Sequence, residues 1–247
     1  MGLSGQSNLN VRMRPFLAMT LVDLESLTKS KIVLAWVVAA LFLGVIRVLG
    51  SRNTSSSTAV TGFFGDFILF WSLIVIGITG GSVSSESGEL ADSLLSKSVN
   101  RYEYILAKFC SRIALVFAIY GGISTVLTGL AMRVGVNNLD VNGLVFSVLV
   151  VGLALIMLTT MGVMLSTVLP STIISIVALL VTWYSMTFFF PLFQELEFLS
   201  PSYLLGQLPK ILQGNWTGNE WQTVIGFGLM SLAFLAISVL YFSNKDL

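Results

Sequence analysis

Residues Leu144–Leu169 read LVFSVLVVGLALIMLTTMGVMLSTVL, a run without a single charged side chain. A helix needs about 20 mostly apolar residues to cross the hydrocarbon core of a bilayer. This stretch exceeds that length, so as a span it must tilt or run past the interface. Working outward, five more segments have the same character: Ile32–Leu49, Phe63–Thr79, Ile113–Met132, Ile173–Phe190 and Thr223–Phe242. Strands that cannot close on one another leave backbone groups unsatisfied in lipid, so the segments read as helices. The whole chain agrees, with 55% hydrophobic and 10% charged residues, against roughly 25% charged in soluble domains. Too little polar sequence remains to coat six such helices as a soluble core. The expectation is an all-α membrane protein with six transmembrane helices in one transmembrane domain, residues 1–247.

Lysine and arginine placement sets the orientation. With the N-terminus in the cytoplasm, Arg12, Arg14, Lys29, Lys31, Lys97, Arg101, Lys108, Arg112 and Lys245 fall inside, and Arg47, Arg52, Arg133 and Lys210 outside. Both termini are therefore expected to be cytoplasmic. The first apolar run begins near Ile32 with no small-residue cleavage site after it, so no cleavable signal peptide is expected. Cys110 is the lone cysteine and says nothing about redox compartment. A net charge of +1 gives no support for nucleic-acid binding.

Between the spans the chain is uneven. Residues 1–10 are small and polar and are expected to be disordered. Residues 14–30 read as an interfacial helix opening at Pro15, with Leu17, Leu21 and Leu24 in a narrow apolar stripe and Asp23 elsewhere on the wheel. The stretch 50–61, GSRNTSSSTAVT, reads as a short outer loop. Leu169-Pro170-Ser171 reads as a tight turn joining the fourth and fifth spans. The external segment 191–220 contains Pro191, Pro201 and Pro209 and is too apolar for a free loop. It is expected to re-enter the membrane or cap a cavity. Asn215-Trp216-Thr217 matches a glycosylation acceptor, a pattern common by chance.

Residues 82–108 stand apart. Their core, ESGELADSLLSKSVNRYEYILAK from Glu86 to Lys108, is polar, charged and helix-forming at once. Glu86, Glu89 and Asp92 populate the acidic start of a short helix, as the helix dipole favours, while Leu90, Leu94 and Leu95 share a face. Asn100-Arg101-Tyr102-Glu103 has the pattern of a capping box that opens the next helix. A compact charged element between two spans offers a grip to a soluble partner.

Several chemistries are excluded by residue type. No GxxxxGK[ST] phosphate loop is present. With no histidine and one cysteine, neither a zinc site of the usual kind nor a Ser-His or Cys-His nucleophile can be built. Asp66 is the one acid in a span, read as a headgroup-level carboxylate near the outer start of its helix, with a pathway-lining acid as the alternative. Gly77/Gly81 and Gly121/Thr125/Gly129 form small-residue stripes that permit close helix packing. Thr182, Tyr184, Ser185 and Thr187 crowd the outer half of the fifth span and are the candidate translocation-path residues. Trp183 and Phe188–Phe190 beside them read as an interfacial aromatic belt.

The Glu86–Lys108 segment resembles the type-2 ABC exporter permease family. Those permeases carry an acid near a glycine, then a Leu-Leu-Ser-x-Pro-(Val/Ile)-Ser-Arg-like string, then an acid and a lysine. Glu86, Gly88, Leu94, Leu95, Ser96, Val99, Arg101, Glu103 and Lys108 match. Ser98 stands where proline is usual, and the gap from Gly88 to Ser96 is about one residue longer than common. The resemblance implies a half-transporter: two permease chains, a homodimer or a related heterodimer, each docked on a separate ABC-type ATPase subunit that carries ATP and Mg, with membrane lipid around them. It implies a cytoplasmic coupling helix at Glu86–Leu95, with Glu86, Gly88, Glu89, Leu90, Asp92, Leu94 and Arg101 as the ATPase-coupling residues. No catalytic residue, metal or cofactor is expected in this chain. A prokaryotic-type plasma membrane and a hydrophobic or amphiphilic substrate are the expected setting. The alternatives are a membrane component of an ATPase-driven surface or secretion machine, and a membrane enzyme or channel outside this family.

Overall fold

The computed structural model describes residues 4–51, 54–85, 101–136, 138–215 and 220–244. Helix α1 (Ser4–Thr28) precedes α2 (Lys31–Gly50). The next span is broken in character: α3 (Ser56–Asp66), a π-helical turn (Phe67–Trp71) and α4 (Ser72–Gly80). Then follow α5 (Arg101–Val134), α6 (Val141–Val168), α7 (Thr172–Phe189), α8 (Pro201–Leu212) and α9 (Glu220–Asn244). Six helical stretches among the described residues are long and apolar enough to cross a membrane, and they coincide with the six expected from sequence. The protein is an integral membrane protein.

Helix α6 is the axis of the bundle. It packs against α4, α5, α7, α8 and α9, and 67% of its most apolar stretch is buried, against 28% for α2, α7 and α9. Lipid tails are as apolar as leucine, so burial of apolar surface does little to draw helices together in a membrane; close packing does. Glycines on the axis supply it. A methyl group on Gly162 would fall 2.2 Å from Thr79 Oγ1, and one on Gly143 would fall 1.9 Å from the Ile211 carbonyl oxygen. The small-residue stripes picked out by sequence behave differently. A side chain on Gly77, Gly121 or Gly129 would meet nothing within 4 Å, so these positions face outward. Only Gly81 of that set is crowded, by Thr172 across the turn after α4.

At one end of the bundle the loops are short and knotted together by hydrogen bonds. Helix α3 starts at Ser56, well inside the expected outer loop 50–61. Ser55 caps it by accepting from Thr58 N, and the buried Ser56 hydroxyl donates to the Ala131 carbonyl at 3.0 Å. Asn138 accepts from Ser57 N and donates to Ser57 Oγ, both at 3.0 Å. The serines that look like loop residues thus complete the start of a helix. Asp140 caps α6 through Gly143 N at 2.7 Å, and its own N–H donates to the Leu212 carbonyl at 2.8 Å. Within segment 191–220, α8 is amphipathic and lays Leu204, Leu208, Ile211 and Leu212 onto α6 and α3 over this same end. Pro201 occupies its first turn, where a missing N–H costs nothing.

At the N-terminal end of the chain, the helix runs continuously from Ser4 and passes through Pro15 instead of starting there. It lies along α5. A second, smaller core of Val83, Tyr104, Ile105, Phe109, Val163 and Phe242, with Met19 packed on it, ties α1, the start of α5 and the ends of α6 and α9 together.

Candidate functional site

The expected coupling residues Glu86, Gly88, Glu89, Leu90, Asp92 and Leu94, and the helix–turn–helix reading of their loop, lie outside the described residues. Arg101 is the first residue of α5, and its side chain also lies outside them. Both chain segments that flank the loop are described, and both are fastened.

On the entering side, the turn Gly81–Ser85 is held by Ser166 near the end of α6. The Ser166 hydroxyl accepts from Val83 N at 2.9 Å and Ser84 N at 3.0 Å. Ser84 Oγ reaches Thr172 Oγ1 at 3.1 Å, which adds the start of α7. On the leaving side, Asp23 of α1 binds three groups on α5: Lys108 Nζ at 3.0 Å, Arg112 Nη1 at 2.8 Å, and the Ser111 hydroxyl. The side chains of Lys108 and Arg112 are only 8% and 7% exposed, and that of Asp23 14%. Lys108 also lies over the Tyr104 ring, 5.6 Å from its centre, and Tyr104 stacks on Phe242. Lys108 and Arg112, which sequence reading counts as cytoplasmic cations, are therefore the inner wall of a clamp on α1. Nothing in the local pattern around Asp23 announces this. The signal was two cations four residues apart, Lys108 and Arg112, just before the apolar run that begins at Ile113.

The second sequence-derived site is the hydroxyl cluster of α7, and the structure divides it. Thr182 is exposed and turns its hydroxyl onto the Ala178 carbonyl of its own helix; Ser185 is half-buried. Tyr184 and Thr187 are engaged within the chain. Thr187 is buried and donates to the Trp183 carbonyl, while Ser200 and Ser202 donate to the Thr187 carbonyl at 3.1 and 2.6 Å. Tyr184 Oη donates to the Leu69 carbonyl. Trp183 is not part of an interfacial belt. It is fully buried, and its Nε1 donates to the Ile68 carbonyl at 3.2 Å. The reason lies in the π-helical turn: i→i+5 bonding there leaves carbonyls without their usual partners, and two aromatic donors of α7 fill them. Phe188 and Phe189 do remain exposed.

Asp66 differs from its expected setting as well. It is ten residues into a helix that starts at Ser56, so the favourable field of a helix start, which fades within a turn, does not reach it. Its partner is Arg47 in the last turn of α2, whose Nη1 donates to Oδ1 at 2.7 Å and Oδ2 at 2.8 Å. Among the described residues no cluster of three or more potential metal ligands occurs.

Taken together, these features define a polytopic helical membrane protein whose one long polar loop is anchored on both flanks and whose sequence carries no phosphate loop of its own. The family comparison then specifies it: the model for the ABC-2 family transporter protein matches residues 85–247, roughly two thirds of the chain, and the chain belongs to that family. It is a permease component of an ABC transporter, a family that generally works with an ABC ATPase subunit. The match begins at Ser85, where the fastened turn ends, and takes in the whole polar loop. A search of curated proteins finds no match.

Proposed function

We propose that the chain is the permease half of an ATP-driven exporter for a hydrophobic or amphiphilic substrate, with both termini in the cytoplasm of a prokaryotic-type plasma membrane. Two permease chains pair, and residues Glu86–Leu95 receive the ATPase. The observation that carries this reading is the fastening of both flanks of the loop. To swing a two-state permease from 1:99 to 99:1, the ATPase cycle must supply about 5.5 kcal/mol of differential binding. Segments free to yield would absorb the movement. Here a displacement of the loop pulls on α6 and α7 through Ser166 and Thr172, and on α1 and α5 through Asp23.

The translocation route runs along the seam between the two chains. The exposed Thr182 and half-buried Ser185 are its polar contacts in α7. Tyr184 and Thr187 support that wall through their bonds inside the chain.

The test is charge reversal in the loop. In Glu86→Lys, ATPase docking measured by co-purification is expected to weaken, or hydrolysis to uncouple from transport, with the thermal midpoint of the permease unchanged. Wild-type docking affinity together with a wild-type transport rate in that variant refutes the coupling role of the loop.

A further inference from the structure

The Arg47–Asp66 pair is placed oddly for a structural ion pair. It opens sideways, out of the bundle. It borders a groove of about 420 Å³ between α2 and the π-helical turn, lined by Leu43, Ile46, Phe70 and Trp71 besides the pair itself. Leu43, Ile46 and Phe70 are among the exposed apolar side chains, so the groove faces the surroundings of the bundle and not its core. The Arg47 side chain is 46% exposed and Asp66 21%.

Its depth sharpens the point. The guanidinium lies against Gly62, where a methyl group would fall 2.4 Å from Arg47 Nε. Gly62 is six residues along α3 from Ser56, or about 9 Å at 1.5 Å per residue. The arginine thus reaches into the membrane toward Asp66, when a long cationic side chain this close to a helix end would ordinarily snorkel outward. Asp66 occupies Nη1 alone; Nε and Nη2 have no hydrogen-bond partner among the described residues. Hydrocarbon offers those donors nothing, and unsatisfied polar groups are costly in lipid. A phosphate oxygen satisfies them, since guanidinium forks match phosphate. A phosphate alone would leave the site with net negative charge beside Asp66. A headgroup that also carries a primary ammonium balances it and donates to the open side of the carboxylate.

We infer that the groove between α2 and the π-helical turn holds a zwitterionic phospholipid, with its phosphate on Arg47, its primary ammonium on Asp66, and an acyl chain along Leu43, Ile46 and Phe70. The occupant is a lipid of the leaflet at the α2–α3 end of the bundle.

Native mass spectrometry of the full chain tests this. The chain is extracted from vesicles of phosphatidylethanolamine, phosphatidylcholine and phosphatidylglycerol in equal parts and taken through stepwise delipidation. Wild type is expected to retain phosphatidylethanolamine preferentially. Arg47→Gln is expected to lower that retention about tenfold, as for loss of a hydrogen bond to a charged group. Asp66→Asn is expected to remove the preference for ethanolamine while some phosphate-dependent retention persists. Leu43→Trp, which fills the groove and leaves the pair untouched, is expected to abolish retention with an unchanged thermal midpoint. Retention that is indifferent to both Arg47→Gln and Leu43→Trp overturns the assignment, as does phosphatidylglycerol retained as well as phosphatidylethanolamine. Efficient disulfide formation between two copies of Ile46→Cys in native membranes also overturns it, because the groove would then be covered by a second chain.

Discussion

Removing the Asp23 carboxylate should undock α1 from α5. Asp23 faces Lys108 and Arg112, whose side chains are less than a tenth exposed, and it also accepts from Ser111. Asp23→Ala deletes the anion from that arrangement and leaves both cations in place, still largely out of water. Losing the two charge-assisted hydrogen bonds from Lys108 and Arg112, at about 1.5–3 kcal/mol apiece, costs about 3–5 kcal/mol in all. At about 1.4 kcal/mol per power of ten, the undocked population of α1 should rise by roughly two to three and a half powers of ten. The assay is backbone hydrogen exchange over residues 16–28 of the full chain in lipid nanodiscs, with α6 as the internal reference. Protection in α1 should fall by that factor while α6 stays protected. Asp23→Asn keeps an acceptor for Ser111 but loses the charge, and should fall between the two. Protection of α1 in Asp23→Ala equal to wild type would refute the reasoning, since the clamp would then contribute nothing to docking.

Gly143→Ala places a methyl group against the Ile211 backbone and should lower stability by about 1–3 kcal/mol; Gly77→Ala, with open space around it, should leave the thermal midpoint within error of wild type. Trp183→Phe strands the buried Ile68 carbonyl and should cost about 1–3 kcal/mol, measured as a loss of thermal stability in detergent; no loss would mean that the π-helical turn does not need the donor. For topology, single cysteines at the exposed Thr54 and Asn215 in a Cys110→Ser background should react with a membrane-impermeant thiol reagent from outside, and one at Pro170 should not. Ser56 is unsuited to such labelling because it is buried. External labelling of Pro170→Cys inverts the proposed orientation.

The six spans were legible because hydrocarbon imposes one strong demand, about 20 apolar residues, and little else in a sequence imitates it. Helix ends were less legible where polar residues belong to the helix. Ser56–Thr61 reads as loop, yet the Ser56 hydroxyl and the Ser57 amide and hydroxyl are matched by Ala131 and Asn138, residues more than seventy positions away. Lys108 and Arg112 read as ordinary cytoplasmic cations, yet both pair with Asp23 from a helix that sequence treats as separate. The Arg47–Asp66 pair failed to show for the same reason. Each residue has an ordinary local explanation, and only the meeting of α2 with α3 joins them. Trp183 was misplaced because an aromatic near a span end usually marks the interface. What it serves instead is a carbonyl released by an irregular turn on another helix. Pairings of this kind are set by tertiary contact, to which local pattern is blind.

The π-helical turn also resets the phase of its span. Before it, Val60, Phe63, Phe64 and Phe67 face the core; after it, Ser72, Val75, Ile76 and Thr79 do. An unbroken α-helix that continued from Phe64 and Phe67 would turn Trp71, Ile74 and Ile78 inward, one position earlier than the residues that are buried. The turn thus amounts to a single inserted residue, and it advances the wheel by about 100°. A helical-wheel alignment of this span with a relative that lacks the turn must be split at Phe67–Trp71, or it will pair lipid-facing positions with core ones. The inserted residue has a structural counterpart on the neighbouring helix. A relative that lacks it has no spare carbonyls at that level, and so no use for a tryptophan and a tyrosine side by side on the facing helix.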